Sequence, residues 1–356
     1  MRMKKRKAIW ISLICFLLAG PLVVMPTASV IIYESIFSTR YETLSWMEFS
    51  VSDFEGLTVE RSDFESDGAC LAGYCYRSAA CDAPKGVVVV AHGMGGGGHN
   101  TYMPFIDRFT AEGYLVFAYD ARGNDNSEGD SVEGLPQGVI DLDAAICHVR
   151  SLERYRSLPI LLFGHSWGAY AAGNVLNFHP DIAAAVLIAG FNESEDMLLY
   201  QSSEIVGSLA KCSLFYVEWY ERLKFGRDYT AITAVEGMRS SDAKILVVHS
   251  RDDVTVPTEY GYDRFYREFG EDERFAFVLY EDRGHDYLFY SDAAWEYRER
   301  LNADYLVYVE ANGGEFNAEI KERFMRERLD KRACFEPDPV LMERIFAMFD
   351  EALTSA

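Results

Sequence analysis

The chain has 356 residues, of which 49% are hydrophobic and 25% charged, and its formal net charge is −22. This length and composition suit one large globular domain, alone or with inserted helical segments. Such an acidic surface repels polyanions, so the sequence argues against nucleic acid as a partner. The acidity relates to solubility and does not identify a substrate.

The N-terminal residues depart from this acidic trend. Basic residues crowd positions 2–7, and an almost uncharged run follows from Ala8 to Tyr33. The run is long enough to span a membrane, and the preceding basic residues place that end in the cytoplasm. We therefore predict a single-pass signal-anchor within residues 1–36 and an extracytoplasmic domain over residues 37–356. The alternative is a signal cleaved near Pro26–Ser29, which would give a secreted protein.

The cysteines give a weaker indication. Cys70, Cys75 and Cys81 lie close together, and outside the cytoplasm one pair of them could form a disulfide. No Cys-x-x-Cys motif or nearby histidine pair completes a set of four zinc ligands. The sequence therefore predicts no metal site.

The order of apolar patterns along the chain predicts an α/β architecture. Residues 43–51, 57–64 and 71–77 alternate as antiparallel strands do. From the buried strand Val87–Ala91 onward, apolar strands alternate with helical patterns as far as Ala189. This alternation predicts a mostly parallel central sheet flanked by helices, with right-handed crossovers.

Two helical segments interrupt the pattern of the sheet. Residues 191–242 are aromatic and helix-like and predict a lid insertion over the strand ends. The sheet then resumes at Ile245–His249 and Arg274–Tyr280. Residues 291–339 are charged and mostly helical, which predicts a second insertion before the final helix at Val340–Leu353.

One motif lies between an apolar strand, Pro159–Phe163, and a helical pattern that starts at Ala169. It reads Gly164-His165-Ser166-Trp167-Gly168. Strand, sharp turn and helix are the context in which Gly-x-Ser-x-Gly forms a nucleophile elbow. The glycines are needed because Ser166 must sit in a strained turn, and a side chain at Gly164 or Gly168 would crowd the adjoining strand and helix.

A serine nucleophile needs a base, and the base needs an acid that orients it. His285 follows the predicted strand Arg274–Tyr280, and both Asp252 and Asp253 follow Ile245–His249. These partners come in the order Ser, Asp, His, each at the carboxyl end of a sheet strand. Two other histidines are assigned elsewhere: His165 is expected to point away from the serine, and His92 to order its own loop.

An oxyanion formed at the serine needs two backbone N–H donors aimed at one point. Trp167, directly after the serine, supplies the first. Met94, in the glycine-rich loop after Val87–Ala91, supplies the second, because its flanking glycines allow a close backbone approach. A phosphate-binding interpretation of this loop fails, since no Gly-Lys-Ser/Thr follows it.

Together these motifs resemble the α/β-hydrolase superfamily and are nearest in pattern to its monoacylglycerol-lipase and serine-aminopeptidase-like members. The resemblance spans about residues 68–290 and the last helix, and it is carried by residues 87–95, 119–123, 164–169, 249–257 and 284–285. It implies the α/β-hydrolase fold with a helical lid. In the family pattern the acid lies four residues before the proline, which favours Asp253 over Asp252, and Asp120 has a structural role.

The chain also departs from the family pattern. His249-Ser250 stands where many members have His-Gly, and the cysteine cluster and residues 291–339 are not general features. These departures leave Ser166, Asp253 and His285 in place as the implied catalytic triad. They put in doubt any substrate carried over from soluble members.

The sequence thus predicts a membrane-anchored serine hydrolase that cleaves small-molecule or lipid-like carboxylic esters through an acyl-enzyme, without a metal or organic cofactor. An aminopeptidase or acyltransferase would share the triad, and a non-catalytic binding protein on the same fold would not use it. The apolar side chains of the lid favour a lipid-like ester, although lid packing explains them equally well. They are Phe191, Leu198, Leu199, Tyr200, Phe215, Tyr216, Trp219 and Tyr220.

Overall fold

The computed structural model describes residues 20–207 and 210–355. In these residues the chain forms ten strands: β1 (Leu57–Arg61), β2 (Phe64–Ser66), β3 (Ala69–Leu71), β4 (Gly73–Ser78), β5 (Val87–Ala91), β6 (Leu115–Tyr119), β7 (Ile160–His165), β8 (Ala184–Ile188), β9 (Lys244–Ser250) and β10 (Phe275–Tyr280).

The α-helices of the same residues are α1 (Met25–Phe37), α2 (Met103–Ala111), α3 (Leu135–Ser151), α4 (Trp167–Val175), α5 (Ser194–Val206), α6 (Ala210–Phe225), α7 (Arg227–Thr230), α8 (Ala234–Ser240), α9 (Tyr262–Phe269), α10 (Asp292–Ala311), α11 (Ala318–Arg328), α12 (Lys331–Cys334) and α13 (Pro339–Ser355).

Eight strands form the main sheet in the order β1-β4-β6-β5-β7-β8-β9-β10. The strands from β6 to β10 run parallel to their neighbours, while β1 and β4 add an antiparallel edge. The predicted mostly parallel sheet is therefore confirmed. Parallel strands bring their carboxyl ends to one edge, and this shared edge is where the candidate site lies.

Helices cover both faces of the sheet, which explains why β5, β7 and β8 are apolar along their length. Val87 and Val89 pack into the core on the side of α3 and α4. Val88 and Val90 pack on the opposite side, with residues of α2 and α13. Strands buried on both faces are thereby held rigidly, so their ends are fixed points for functional side chains.

The predicted N-terminal strands were only partly right. Residues 43–51 form no strand, because Ser50 and Asp53 exchange hydrogen bonds in a capping box and begin a short 3₁₀ helix at Val51–Asp53. The predicted strand at residues 57–64 is divided into β1 and β2, and the one at residues 71–77 corresponds to β3 and β4. Such short local hydrogen bonds are invisible to an alternation pattern.

The suggested disulfide does not form. Cys70, Cys75 and Cys81 are all unpaired in the structure. Cys70 lies in β3, opposite Glu65 of the small two-stranded sheet. Cys75 is buried in β4 of the main sheet, opposite Glu60 and Phe117. Closeness in sequence does not pair these thiols, because Cys70 and Cys75 belong to different sheets and Cys81 lies in the loop after β4.

The helix α1 overlaps the end of the predicted membrane segment and packs against α6. Its Tyr33 hydroxyl donates a 2.8 Å hydrogen bond to Glu221, and its Glu34 pairs with Lys224 at 2.7 Å. Across residues 20–207 and 210–355, no helix is both long and apolar enough to cross a membrane. Residues 8–19 of the predicted segment lie outside the described residues, so the anchor stays a prediction.

Candidate active site

Ser166 lies in a tight turn between β7 and α4. Its backbone has φ 54° and ψ −116°, a strained conformation for a residue other than glycine. A Cβ atom at Gly164 would come within 2.4 Å of the carbonyl oxygen of Gly168, and one at Gly168 within 2.0 Å of that of Ala91. The need for both glycines is confirmed, and the turn presents the serine at the sheet edge.

The structure brings together the three side chains predicted to form the triad. The Nε2 atom of His285 is 2.8 Å from the Oγ atom of Ser166, and its Nδ1 atom is 2.7 Å from the Oδ2 atom of Asp253. An ionised Asp253 accepts the Nδ1–H proton, so Nε2 presents its lone pair to the serine hydroxyl. This geometry can accept the hydroxyl proton during nucleophilic attack.

Asp253 is placed to remain ionised. Burial opposes its ionisation, but hydrogen bonds from His249 and His285 outweigh it and hold the pKa of Asp253 well below its usual range. Its second oxygen accepts the backbone N–H groups of Thr255 and Val256, both at 2.9 Å. The carboxylate is therefore fixed in position as well as in charge.

Asp252, the alternative acid, has a different task. Its Oδ1 atom accepts the hydroxyl of Ser250 at 2.6 Å and the backbone N–H of Gly284 at 2.9 Å. These two bonds tie the loop after β9 to the loop that carries His285. Asp252 thus supports the backbone of the site, and Asp253 is the residue that contacts the imidazole.

The two predicted oxyanion donors lie at the expected places. Trp167 begins α4 directly after the serine, and Met94 follows β5 in the loop that lines the cavity above Ser166. Within the described residues, the backbone N–H groups of Met94 and Trp167 donate no hydrogen bond to another backbone group outside the helices and strands. Both groups thus stay available to a ligand, and their role in holding an oxyanion remains a prediction.

A hydrogen-bonded relay that the sequence did not predict joins these loops. The hydroxyl of Tyr102 accepts the N–H of Gly93 at 3.0 Å and lies 2.9 Å from the Nδ1 atom of His165. The Nε2 atom of His165 lies 3.2 Å from the carbonyl oxygen of His285. Burial, with a smaller effect of His285, lowers the pKa of His165 to about 4, so its ring is neutral.

This relay fixes the loop of Met94 relative to the loop of His285. Because Tyr102 donates to Nδ1, the proton of His165 lies on Nε2 and is donated to the backbone of His285. His165 therefore does not contact the serine hydroxyl, as expected, but has a positioning role. Tyr102 carried no sequence signal, since it lies in a short 3₁₀ helix away from any strand end.

His92 and Asp120 have the supporting roles that the sequence indicated. The ring of His92 bonds to the carbonyl of Gly93 and to the N–H of Ala121, and so orders the loop after β5. Asp120 is buried and accepts both the backbone N–H and the ring Nδ1 of His99. Despite burial, the bonds with His99 lower the pKa of Asp120 to about 2. Neither residue contacts the serine.

A cavity of about 660 Å³ opens above Ser166 and His285. Its walls come from the loop after β5, from residues 286–290 and from the second insertion, with Trp46 and Met47 at one side. Its apolar lining includes Leu301, Tyr305 and Met325. None of the described residues of 191–242 lines it, so the aromatic side chains of the predicted lid do not contact this space.

Two side-chain clusters resemble metal sites in composition. The ligand atoms of His165, His285 and Asp286 lie within 4.8 Å of one another, as do those of Asp143, Cys147 and His179. In the first cluster, hydrogen bonds already use the ring nitrogens of both histidines. In the second, His179 bonds to Arg150 and Asp143. Each cluster thus has an explanation within the protein's own hydrogen bonding.

Comparison with known proteins supports the α/β-hydrolase architecture. The family described as serine aminopeptidase, S33, matches residues 82–217, less than half of the chain. The quorum-quenching protein AidA of Acinetobacter baumannii (strain MDR-ZJ06) is 31% identical over 115 residues, which are 32% of this chain and 36% of that protein. The chain therefore matches only about a third of the length of that relative.

Among solved structures, the esterase Pf2001 of Pyrococcus furiosus is similar with a TM-score of 0.54 and 15% identity, over 77% of this chain and 98% of that chain. A second crystal form of the same esterase gives a TM-score of 0.53 at 15% identity, over 77% and 96%. At this identity the likeness shows the fold alone. The sheet order and these likenesses together show that the chain has the α/β-hydrolase fold, and the matches support the α/β-hydrolase superfamily.

Proposed function

We propose that this protein is a serine hydrolase that cleaves carboxylic esters through an acyl-enzyme intermediate. The observation that carries the proposal is the continuous hydrogen-bonded chain from Ser166 through His285 to Asp253, with the serine in a strained turn at the sheet edge. Strain of this kind persists where the surrounding structure enforces it, and it is common at active sites.

In the proposed reaction, His285 removes the hydroxyl proton of Ser166 as the oxygen attacks the ester carbonyl. The N–H groups of Met94 and Trp167 stabilise the oxyanion, and the charge of Asp253 stabilises the imidazolium. His285 then donates its proton to the leaving alcohol. Water, deprotonated by the same histidine, attacks the acyl-enzyme and releases the acid.

The lining of the cavity supports an ester with an apolar part. Its volume is within the range of small-molecule sites, and aromatic and aliphatic side chains form much of its wall. An aminopeptidase would need an acidic group for the substrate's ammonium, and Asp286 is the one carboxylate that lines the cavity in the described residues. An acyltransferase would differ only in the acceptor that replaces water.

The membrane anchor is part of the same proposal. It is supported by the basic residues at positions 2–7 and the apolar run that follows them. It is also supported by exposed apolar side chains on α1, which overlaps the end of that run, and on α6, which packs against α1. These side chains are Ile31, Ile32, Phe215, Trp219 and Leu223. An anchored enzyme would hold its catalytic domain outside the cytoplasm.

Labelling by a fluorophosphonate probe tests the serine hydrolase directly. We expect the wild type to be labelled and Ser166→Ala and His285→Ala to lose labelling, while Ser151→Ala, at an exposed serine on α3, keeps it. An unlabelled but folded wild type would favour the non-catalytic binding protein. Hydrolysis of acyl esters of increasing length, with lactones included because one relative is named quorum-quenching, would then define the substrate.

Fractionation tests the anchor. We expect the full-length chain to remain with membranes after extraction at high pH, which removes peripheral proteins. A soluble mature form that lacks residues 1–33 would instead indicate a cleaved signal. Such a form would lose most of α1, including the bond from Tyr33 to Glu221.

A further inference from the structure

The cavity above Ser166 contains a buried cation without a carboxylate partner. Arg298, on α10, is 9% exposed and lines the same cavity as Ser166 and His285. Its Nε atom donates to the carbonyl oxygen of Cys334 at 2.7 Å and lies 3.3 Å from the sulfur of that residue. In the described residues it forms no ion pair with an acidic side chain. Buried charges are normally paired, so the expected partner of the Arg298 guanidinium is an anionic group of a bound ligand.

Aromatic rings hold the guanidinium in place. It lies over the rings of Tyr287, Tyr290 and Phe335, with 4.6, 4.2 and 4.8 Å between its carbon atom and the ring centroids. Such contacts partly offset the cost of burying the charge, but they do not neutralise it. They also fix the planar group, and a pre-oriented guanidinium binds a carboxylate or phosphate with little further loss of side-chain entropy.

The other charged residues of the cavity also favour an anionic ligand. Lys321, an exposed residue of α11, also lines it, whereas Asp286 is the one acidic residue of that lining in the described part of the chain. Two cations against one anion contrast with a net charge of −22 for the whole protein. A cleft of the opposite sign to the surrounding surface concentrates ligands of the complementary charge.

We propose that Arg298 is a specificity-determining residue that binds an anionic group of the substrate. The preferred ester then carries a carboxylate or phosphate at the end that is remote from the cleaved bond. Lys321 at the rim assists electrostatically. The inference rests on the proposed serine hydrolase and names its substrate class. Carboxylate and phosphate share the chemistry that the guanidinium recognises, and the experiment separates them.

The test compares three ethyl esters whose acyl chains have the same length and differ in the terminal group. Monoethyl glutarate carries a terminal carboxylate, ethyl pentanoate ends in a methyl group, and ethyl 4-phosphonobutanoate provides the phosphonate arm. We expect the wild type to prefer one of the anionic esters over ethyl pentanoate by about 10-fold or more in kcat/KM, mainly through KM. Of the two anionic esters, the better substrate identifies the anion.

Arg298→Gln should lower the ratio of kcat/KM for the anionic over the neutral ester by about 10- to 100-fold, and Arg298→Lys by less. The matched control is Arg300→Gln on the same helix, whose exposed side chain pairs with Glu296 and does not line the cavity. A purely structural role of Arg298 would lower both activities equally and leave the ratio unchanged, which would overturn the proposal. So would a wild type that prefers ethyl pentanoate, whatever the variant does.

Calorimetry separates this inference from the proposed function. Glutarate should bind the full wild-type chain more tightly than neutral glutaramide, and the difference should shrink with added salt. Equal binding of the two would overturn the anion site even if Ser166 is labelled and ethyl pentanoate is hydrolysed. Tight glutarate binding without labelling or hydrolysis would instead overturn the serine hydrolase and keep the anion site.

Discussion

The two insertions of this protein are both mostly helical but occupy different places. The first, residues 191–242, packs α5 and α6 against α1 and the main core. The second, residues 291–339, packs around Leu301, Phe324 and Met325 and forms a wall of the cavity above Ser166. The aromatic content of the first therefore says little about substrate, while the more charged second insertion contacts the space where substrate would bind.

The difference follows from the strand that each insertion leaves. The first leaves β8, in the middle of the sheet, and its residues join the core on the side of α3 and α4. The second leaves the loop after β10, which itself carries His285. An insertion that begins next to His285 begins beside the cavity, so it is well placed to form a wall of that cavity.

The largest expected effect on activity is at Asp253, which lies outside both insertions. It is the reference against which variants within the insertions are compared. Asp253→Asn should lower kcat/KM by roughly 10³- to 10⁴-fold, because an amide cannot stabilise the imidazolium of His285. Asp252→Asn should cost about 3-fold or less, since an amide oxygen can still accept the bonds from Ser250 and Gly284. Steady-state kinetics on one activated ester measures both, and the reverse order would make Asp252 the acid.

A truncation in the second insertion should change chain-length selectivity. Leu301→Ala enlarges the cavity, so the ratio of kcat/KM for 4-nitrophenyl octanoate over butyrate should rise by about 10-fold. Trp219→Ala, in the first insertion, should leave the ratio within about 2-fold, because this exposed side chain does not line the cavity. A larger change at Trp219 than at Leu301 would contradict the contrast between the insertions. Ratios are insensitive to partial unfolding of either variant.

Substitution of Glu221, in the first insertion, should have the smallest effect on activity. It should change the stability of the protein instead. Burial raises the pKa of Glu221 to about 7, against hydrogen bonds from Tyr33 and Ser194 that favour its ionised form. Because the folded pKa lies above the unfolded value, its contribution to stability is complete below about pH 4.5 and is lost as the pH rises through about 7.

Glu221→Gln removes this titration. The variant should gain stability relative to the wild type between about pH 5.5 and pH 8, by up to roughly 3 kcal/mol in the free energy of unfolding. Urea unfolding at several pH values measures the change, and the exposed Glu204→Gln on α5 is the control. A difference between wild type and Glu221→Gln that does not vary with pH would show that the carboxyl does not titrate in this range.

Much of the site was predictable because it depends on short-range patterns. The elbow around Ser166 needs two glycines at a fixed spacing, and the structure shows the backbone contacts that exclude a Cβ at each. His285 and an aspartate at 252 or 253 were predictable because parallel strands bring their carboxyl ends to one edge. The preference for Asp253 came from the resemblance to the α/β-hydrolase superfamily. Tyr102 and Arg298 were not predictable, since they belong to helices whose approach to the serine depends on tertiary packing.

The amino-acid sequence by itself determined the α/β architecture and the order Ser, Asp, His of the proposed triad, because both follow from local periodicity and strand ends, while the choice of Asp253 over Asp252 was implied by the resemblance to the α/β-hydrolase superfamily. Only the tertiary structure decided which insertion lines the cavity, that the clustered cysteines stay unpaired, and that Arg298, which pairs with no carboxylate of the described residues, lines the same cavity as Ser166. These features depend on contacts between residues far apart in the chain, such as Arg298 with Cys334 or Tyr33 with Glu221. No local pattern encodes such contacts, because their energy arises only once the sheet and its helices have packed.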